Sequence, residues 1–149
     1  MNAYADLYGE ANERQLSIIG LDNDESKIKK INNCPSEFQE QCKLVVWLRK
    51  KRIVHHHSPN GMKSSYHEGA KFKRLGTMPG FPDIIIPYAR KGYHGLYIEL
   101  KRVSGGVLSE SQKWWRDFLA KEGYAWHEAK GCSQAKQIIC DYFGLQAGE

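Results

Sequence analysis

The sequence predicts an α/β domain in which a mixed central sheet is flanked by helices. Three observations carry that expectation: capping boxes at Ser36 and Ser109 that open helical segments, the unbroken apolar run Ile84-Ile85-Ile86, and a second apolar stretch from Leu96 to Lys101. Continuous apolar runs belong to strands covered on both faces, and helices interleaved with such strands supply the cover. A chain of 149 residues suits one domain with a real core.

Taken in order, residues 1–33 keep no sustained period and mix Asn, Asp, Gly and Lys, so they form an appended segment with a short helix between Tyr4 and Leu16. The domain proper spans 34–145, and 146–149 are a tail. At Ser36 the hydroxyl can accept from the Gln39 amide while the Gln39 side chain reaches back. Phe38, Cys42, Val45 and Leu48 then recur at helical spacing, and Arg49 to Arg52 place cations where the helix dipole favours them. Arg52 to His57 alternates like a short strand, ended by the turn residues Ser58-Pro59-Asn60-Gly61. The Lys- and Gly-rich stretch from Ser64 to Gly76 reads as a mobile basic loop with one helical turn. Phe81 to Pro87 forms a strand, Arg90 to Gly95 turns the chain back, and Leu96 to Arg102 forms its neighbour. Ser109 opens a helix that runs through Glu122, stops at Gly123 and faces the core with Trp115, Phe118 and Leu119. Tyr124 to Ala129 is a further strand, and Ser133 caps a last helix whose apolar face is Ile138, Ile139, Tyr142 and Phe143. The order is α, β, β, β, α, β, α.

Hydrophobic residues at 41% and charged residues at 26% fit neither a disordered chain nor a membrane protein. No apolar run reaches the ~18 residues of a membrane span, and the N-terminus lacks the basic-then-apolar layout of a secretory signal. A cytoplasmic protein is expected. Cys34, Cys42, Cys132 and Cys140 form no C-x-x-C pair and are read as reduced thiols. Net charge is +5: residues 1–30 hold four Lys/Arg against six Asp/Glu, leaving eighteen against eleven for the rest of the chain. A basic body favours a polyanionic partner, because Lys and Arg displace condensed counterions from phosphates.

Side chains alternate across a strand, so Glu99 and Lys101 share one face while Ile98 and Leu100 anchor the other. If the preceding strand pairs antiparallel through the glycine-bearing turn, Asp83 lies beside Glu99. Adjacent carboxylates raise one another's pKa unless a cation stands between them, and an all-oxygen cluster suits Mg²⁺ or Mn²⁺. The Leu100 carbonyl could add to the oxygen shell. Charged Lys101 has no lone pair to ligate with, so it orients or deprotonates water or neutralises charge on a phosphate. That division of labour is phosphodiester hydrolysis.

Pro82-Asp83, fifteen intervening residues and Glu99-Leu100-Lys101 match the PD-(D/E)-x-K nuclease pattern, and the fuller sequence resembles the VRR-NUC family of that superfamily. Glu37 and Gln41, Asn60-Gly61, Lys73 and Gly76, Pro79-Gly80-Phe81-Pro82-Asp83, and Gln112 fit the family's further positions in order. The resemblance runs from Glu37 to Phe143 and implies a restriction-endonuclease-like core. It implies that Glu37, Asp83 and Glu99, with the Leu100 carbonyl, bind the metal, that Lys101 acts on water, and that Gln112 supports the site. Glu40 is the competing helical acid. Stand-alone phage-type members are thought to act on branched DNA as homodimers, so a metal-dependent endonuclease selective for branched DNA or Holliday junctions is expected. The alternatives are a sequence-specific restriction-type nuclease and a catalytically inert nucleic-acid-binding module.

Each signal has a plainer reading. Glu99 and Lys101 could be a surface ion pair, Glu37 a dipole-complementing acid, and Gln112 only a capping residue. His55-His56-His57 reads as structural or as touching phosphate. Asn60, Lys63, Lys71, Lys73, Arg74 and Arg102 are assigned to DNA contact, the basic loop gaining weight from Tyr66 and Phe72. Of Trp114 and Trp115, one is expected to pack inward and the other to mark a protein interface.

Overall fold

The computed structural model describes residues 36–58 and 66–145; the expectations placed on residues 1–33, Cys34, Asn60, Gly61, Lys63 and the tail lie outside them. The described elements are α1 (Glu37–Lys50), β1 (His56–His57), α2 (Tyr66–Arg74), β2 (Ile84–Ile86), β3 (Leu96–Lys101), α3 (Glu110–Lys121), β4 (Ala125–Lys130) and α4 (Gly131–Phe143). The four strands stand in the order β1-β2-β3-β4; the first two pairings are antiparallel and β3–β4 is parallel. This is the mixed sheet that the sequence predicts. Only the parallel pair needs a crossover, and α3 supplies it.

The alternation of β3 divides the molecule. Leu96, Ile98 and Leu100 are wholly buried and join Ile84, Ile86, Leu44, Leu48 and Ile139 in the core under α1 and α4. Tyr97, Glu99 and Lys101 face the other side, where Gln112 at the start of α3 reaches Glu99 and Lys101. Between β2 and β3 the chain reverses at Lys91 and Gly92, with φ of 52° and 83°, inside an Arg90–Tyr93 pair bonded in both directions. Two consecutive left-handed residues give the turn whose twist matches the flanking strands.

Both capping boxes are formed, with Gln39 and Gln112 returning bonds to Ser36 and Ser109. Four expectations are corrected. Phe38 is exposed, because the inward line of α1 runs through Glu40, Leu44 and Leu48. Phe118 is exposed as well and stacks on Trp114 at 5.3 Å, while Leu119 faces inward. The segment before Gly76 is a nine-residue helix, α2, rather than a loop with one turn. It stops at Gly76, φ 92°, with Thr77 N–H bonding Phe72 O and Gly76 N–H bonding Lys73 O, a Schellman motif.

Ser133, lastly, lies within the first turn of α4 and does not cap it; Lys130 holds the N-cap position with no side-chain bond. The helix start is satisfied from elsewhere. Glu40 Oε2 accepts the Cys132 N–H at 2.6 Å, and Gln134 accepts the Lys130 N–H at 2.6 Å. Burial pushes the Glu40 carboxyl up, but the Cys132 N–H and Lys43 outweigh it and hold it below its ordinary value. Glu40→Ala would strand that donor in the core, so a loss of about 2 kcal/mol is expected by urea denaturation.

Candidate active site

The register places Ile84 opposite Ile98, and one step further sets Asp83 opposite Glu99. The tie is direct: Asp83 Oδ2 accepts the Leu100 N–H at 2.8 Å. Glu99 and Lys101 are only 2% and 8% exposed. Lys101 Nζ donates to Glu99 Oε1 at 2.9 Å and to Gln112 Oε1 at 3.1 Å, and Gln112 Nε2 donates to Glu99 Oε1. Gln112 Oε1 also accepts the Ser109 N–H at 2.9 Å. One Gln112 side chain therefore both caps α3 and holds Glu99 and Lys101 of β3 in place.

The electrostatics are those of crowded acids. Burial raises the Glu99 carboxyl from 4.5 to about 7, the Asp83 charge adds to the rise, and Lys101 opposes it. Burial likewise raises Asp83, against the pull of the Leu100 N–H and with a further push from Glu37. Glu37, half-buried at the start of α1, thus acts on both carboxylates, whereas Glu40 is committed to α4. Leu100 offers the site only its backbone, its side chain being in the core. Among the described residues no three His, Cys, Asp or Glu side chains stand close enough to hold an ion by themselves. Asp83 and Glu99 are brought together, and Glu37 acts on them through its field.

Glu99 Oε2 is buried with no hydrogen-bond partner. A bare carboxylate oxygen beside a second acid, with no donor in reach, is what a hard cation satisfies, so the residues fit a bound Mg²⁺ or Mn²⁺.

The loop carrying Asp83 is set by its glycine. At Gly80, φ 76°, a Cβ would come within 2.6 Å of Ser111 Oγ and 2.7 Å of Gln112 N, so only glycine lets the loop meet the start of α3. Trp115 Nε1 donates to Pro79 O at 3.1 Å, and Phe81 lies edge-on to Trp115 at 4.7 Å. Trp115 is the inward tryptophan and Trp114 the exposed one. Gly80→Ala is expected to cost about 3 kcal/mol in thermal unfolding and to loosen the Asp83–Glu99 pair. Gly106 is a second close approach, where a Cβ would meet Lys101 Cβ at 2.9 Å.

The histidine run divides its tasks. His55 Nδ1 lies 2.8 Å from Ile53 O, while His57 Nδ1 lies 2.6 Å from Gln41 Nε2 and 3.0 Å from Asp83 O. That one nitrogen serves a single partner at a time: with a proton it donates to Asp83 O, and without one it accepts from Gln41. Sequence reading also passed over Glu128 and Lys130, which pair in register with Glu99 and Lys101 and so share their face. The repeated Glu-x-Lys spacing is the signal that could have shown them. Lys71, Lys73, Arg74 and Arg102 are exposed.

The model of the VRR-NUC domain matches residues 22–132. The chain belongs to the VRR-NUC family. A solved structure named VRR_NUC domain protein is similar to this VRR-NUC chain, with 36% identity over 74% of this chain and 90% of that one and a TM-score of 0.65. No curated protein matches. Its family makes this a nuclease-type domain. Among the described residues, no helix is long and apolar enough to cross a membrane.

Proposed function

We propose that this VRR-NUC chain is a divalent-metal-dependent DNA endonuclease, acting on branched or junction DNA as a homodimer. The observation that carries the hydrolytic part is the buried, unpartnered Glu99 Oε2 beside Asp83, with the Lys101 ammonium at the same carboxylate. Asp83, Glu99 and the Leu100 carbonyl would hold Mg²⁺ or Mn²⁺, with Glu37 completing the set from α1. The ion, when bound, supplies Lewis-acid polarisation of the phosphate and makes water more acidic.

The protein's own groups do the rest. Gln112 fixes the Glu99 carboxylate through Oε1, leaving Oε2 free to face a cation. Lys101, its stem against Gly106, presents a positive charge where a phosphate gains negative charge and where an attacking water must be oriented. Lys71, Lys73, Arg74 and Arg102 supply cations to the DNA backbone. Homodimerisation would set two such sites about a two-fold axis, matching two strands of a symmetric junction.

Purified protein given plasmid, linear duplex and four-way junction with Mg²⁺, Mn²⁺ or EDTA tests the reading. Paired nicks near the branch, abolished by EDTA, are expected; cuts at a fixed sequence would favour a restriction-type enzyme, and binding without cuts an inert module. Glu37→Gln is expected to lower cleavage by about 100-fold with little loss of stability, unlike Glu40→Gln, whose effect should fall on stability. Comparison of turnover and melting for the two variants separates the helical acids.

A further inference from the structure

Helix α2 packs against no other helix or strand of the described residues. An isolated nine-residue helix is marginal in water, so a regular one with a formed Schellman stop and no apolar support from the described residues invites a partner. The apolar side chains at its end are outside: Phe72 is 45% exposed, Leu75, next after the last helical residue, 72%, and Met78, just past the stop, 49%. Phe72 and Leu75 are three residues apart and share one edge. Lys71 adjoins that edge, Lys73 and Arg74 stand further round the helix, and no carboxylate whose side chain is described pairs with any of the three.

We infer that this edge of α2 is a wedge that stacks against unstacked bases in DNA while its cations hold the adjoining phosphates. The inference rests on the nuclease reading and assigns its selectivity for branched DNA to Phe72 and Leu75. The charges choose the occupant. A second copy of α2 would bring like cations together, whereas a polyanion is complementary to them. Phosphates alone leave the apolar edge unexplained, but apolar wedges entering a base step are a recurrent way of gripping DNA. Opening a step in intact duplex is costly, and at a gap or branch the bases are already unstacked, so the edge binds such sites preferentially. The position is apt as well: the helix ends only a few residues before Pro79, which Trp115 fixes beside Asp83.

The test is binding by the full chain in EDTA, where no cut intervenes, to a linear duplex and to the same duplex with a short single-stranded gap. Phe72→Ala with Leu75→Ala is expected to reduce the gap-to-duplex affinity ratio at least tenfold, and Phe72→Trp to retain it. Lys71→Ala and Lys73→Ala should weaken both DNAs alike and each reduce the salt slope by about 1. Because the four substituted side chains are exposed, none of these changes should lower the melting temperature. An unchanged ratio in the alanine variant, or equal loss on both DNAs, overturns the wedge; so does a change in sedimentation, which would make α2 a protein contact. Binding is read without hydrolysis, so loss of the wedge is distinguishable from failure of the nuclease reading, which cleavage by the unaltered chain reports.

Discussion

Lys101→Met is expected to lower turnover on a cleavable DNA by about 10³-fold while DNA affinity changes little, because a charge aimed at the developing negative phosphate is worth roughly that much. Met keeps the length and apolar stem that Gly106 accommodates, so the loss falls on the ammonium and not on packing. The local consequence is as informative. Lys101 is the cation that lowers Glu99 against burial and Asp83, and its removal leaves a carboxylate in the core with one fewer donor. The variant's Glu99 should therefore titrate above the value of about 7 that it has in the unaltered chain. Single-turnover kinetics with binding measured separately check the first expectation. Retained turnover would remove Lys101 from the chemistry and leave it as a counter-ion only.

How far the sequence made this site legible depends on the range of the interactions. Ser36 with Gln39 and Ser109 with Gln112 are pairs three residues apart, and such local patterns read correctly. The Asp83–Glu99 pairing was legible because a short glycine turn joins two apolar runs and alternation fixes the face. What sequence could not show was long in range. Glu40 caps a helix 92 residues away, which leaves Ser133 without the task its type suggests. Phe38 fitted one helical line and the core used another, because periodicity gives a spacing and not the side that the sheet will occupy. Helix α2 was hidden for a related reason: with one glycine and two lysines in nine residues, and an apolar edge of only Phe72 and Leu75, it offers too short a stripe for a helix to be recognised.

The second large effect couples pH to metal. The Glu99 carboxyl, at about 7 in the folded chain against an ordinary 4.5, favours its neutral form because burial and the Asp83 charge oppose ionisation. The folded state therefore binds the proton more tightly than the unfolded one, and the stability this gives is complete below 4.5 and lost as pH rises through 7. The gap corresponds to about 3 kcal/mol. Asp83, also raised, acts in the same sense, while Glu40, held low, acts oppositely and loses its contribution only as the solution becomes acidic. Metal-free protein should accordingly melt higher near pH 5.5 than near pH 8. Mg²⁺ competes with the proton for these carboxylates, so the rise in melting temperature that it produces should be larger near pH 8. Asp83→Asn keeps an oxygen for the Leu100 N–H but removes the charge facing Glu99; the metal-free variant should gain about 1 kcal/mol near pH 8 and lose both its response to Mg²⁺ and its cleavage. Calorimetry at the two pH values, with Mg²⁺ and with EDTA, on both proteins decides it. A melting temperature indifferent to Mg²⁺ near pH 8 in the unaltered chain would show that the strain between these acids serves no cation, and the metal-dependent mechanism would fall with it.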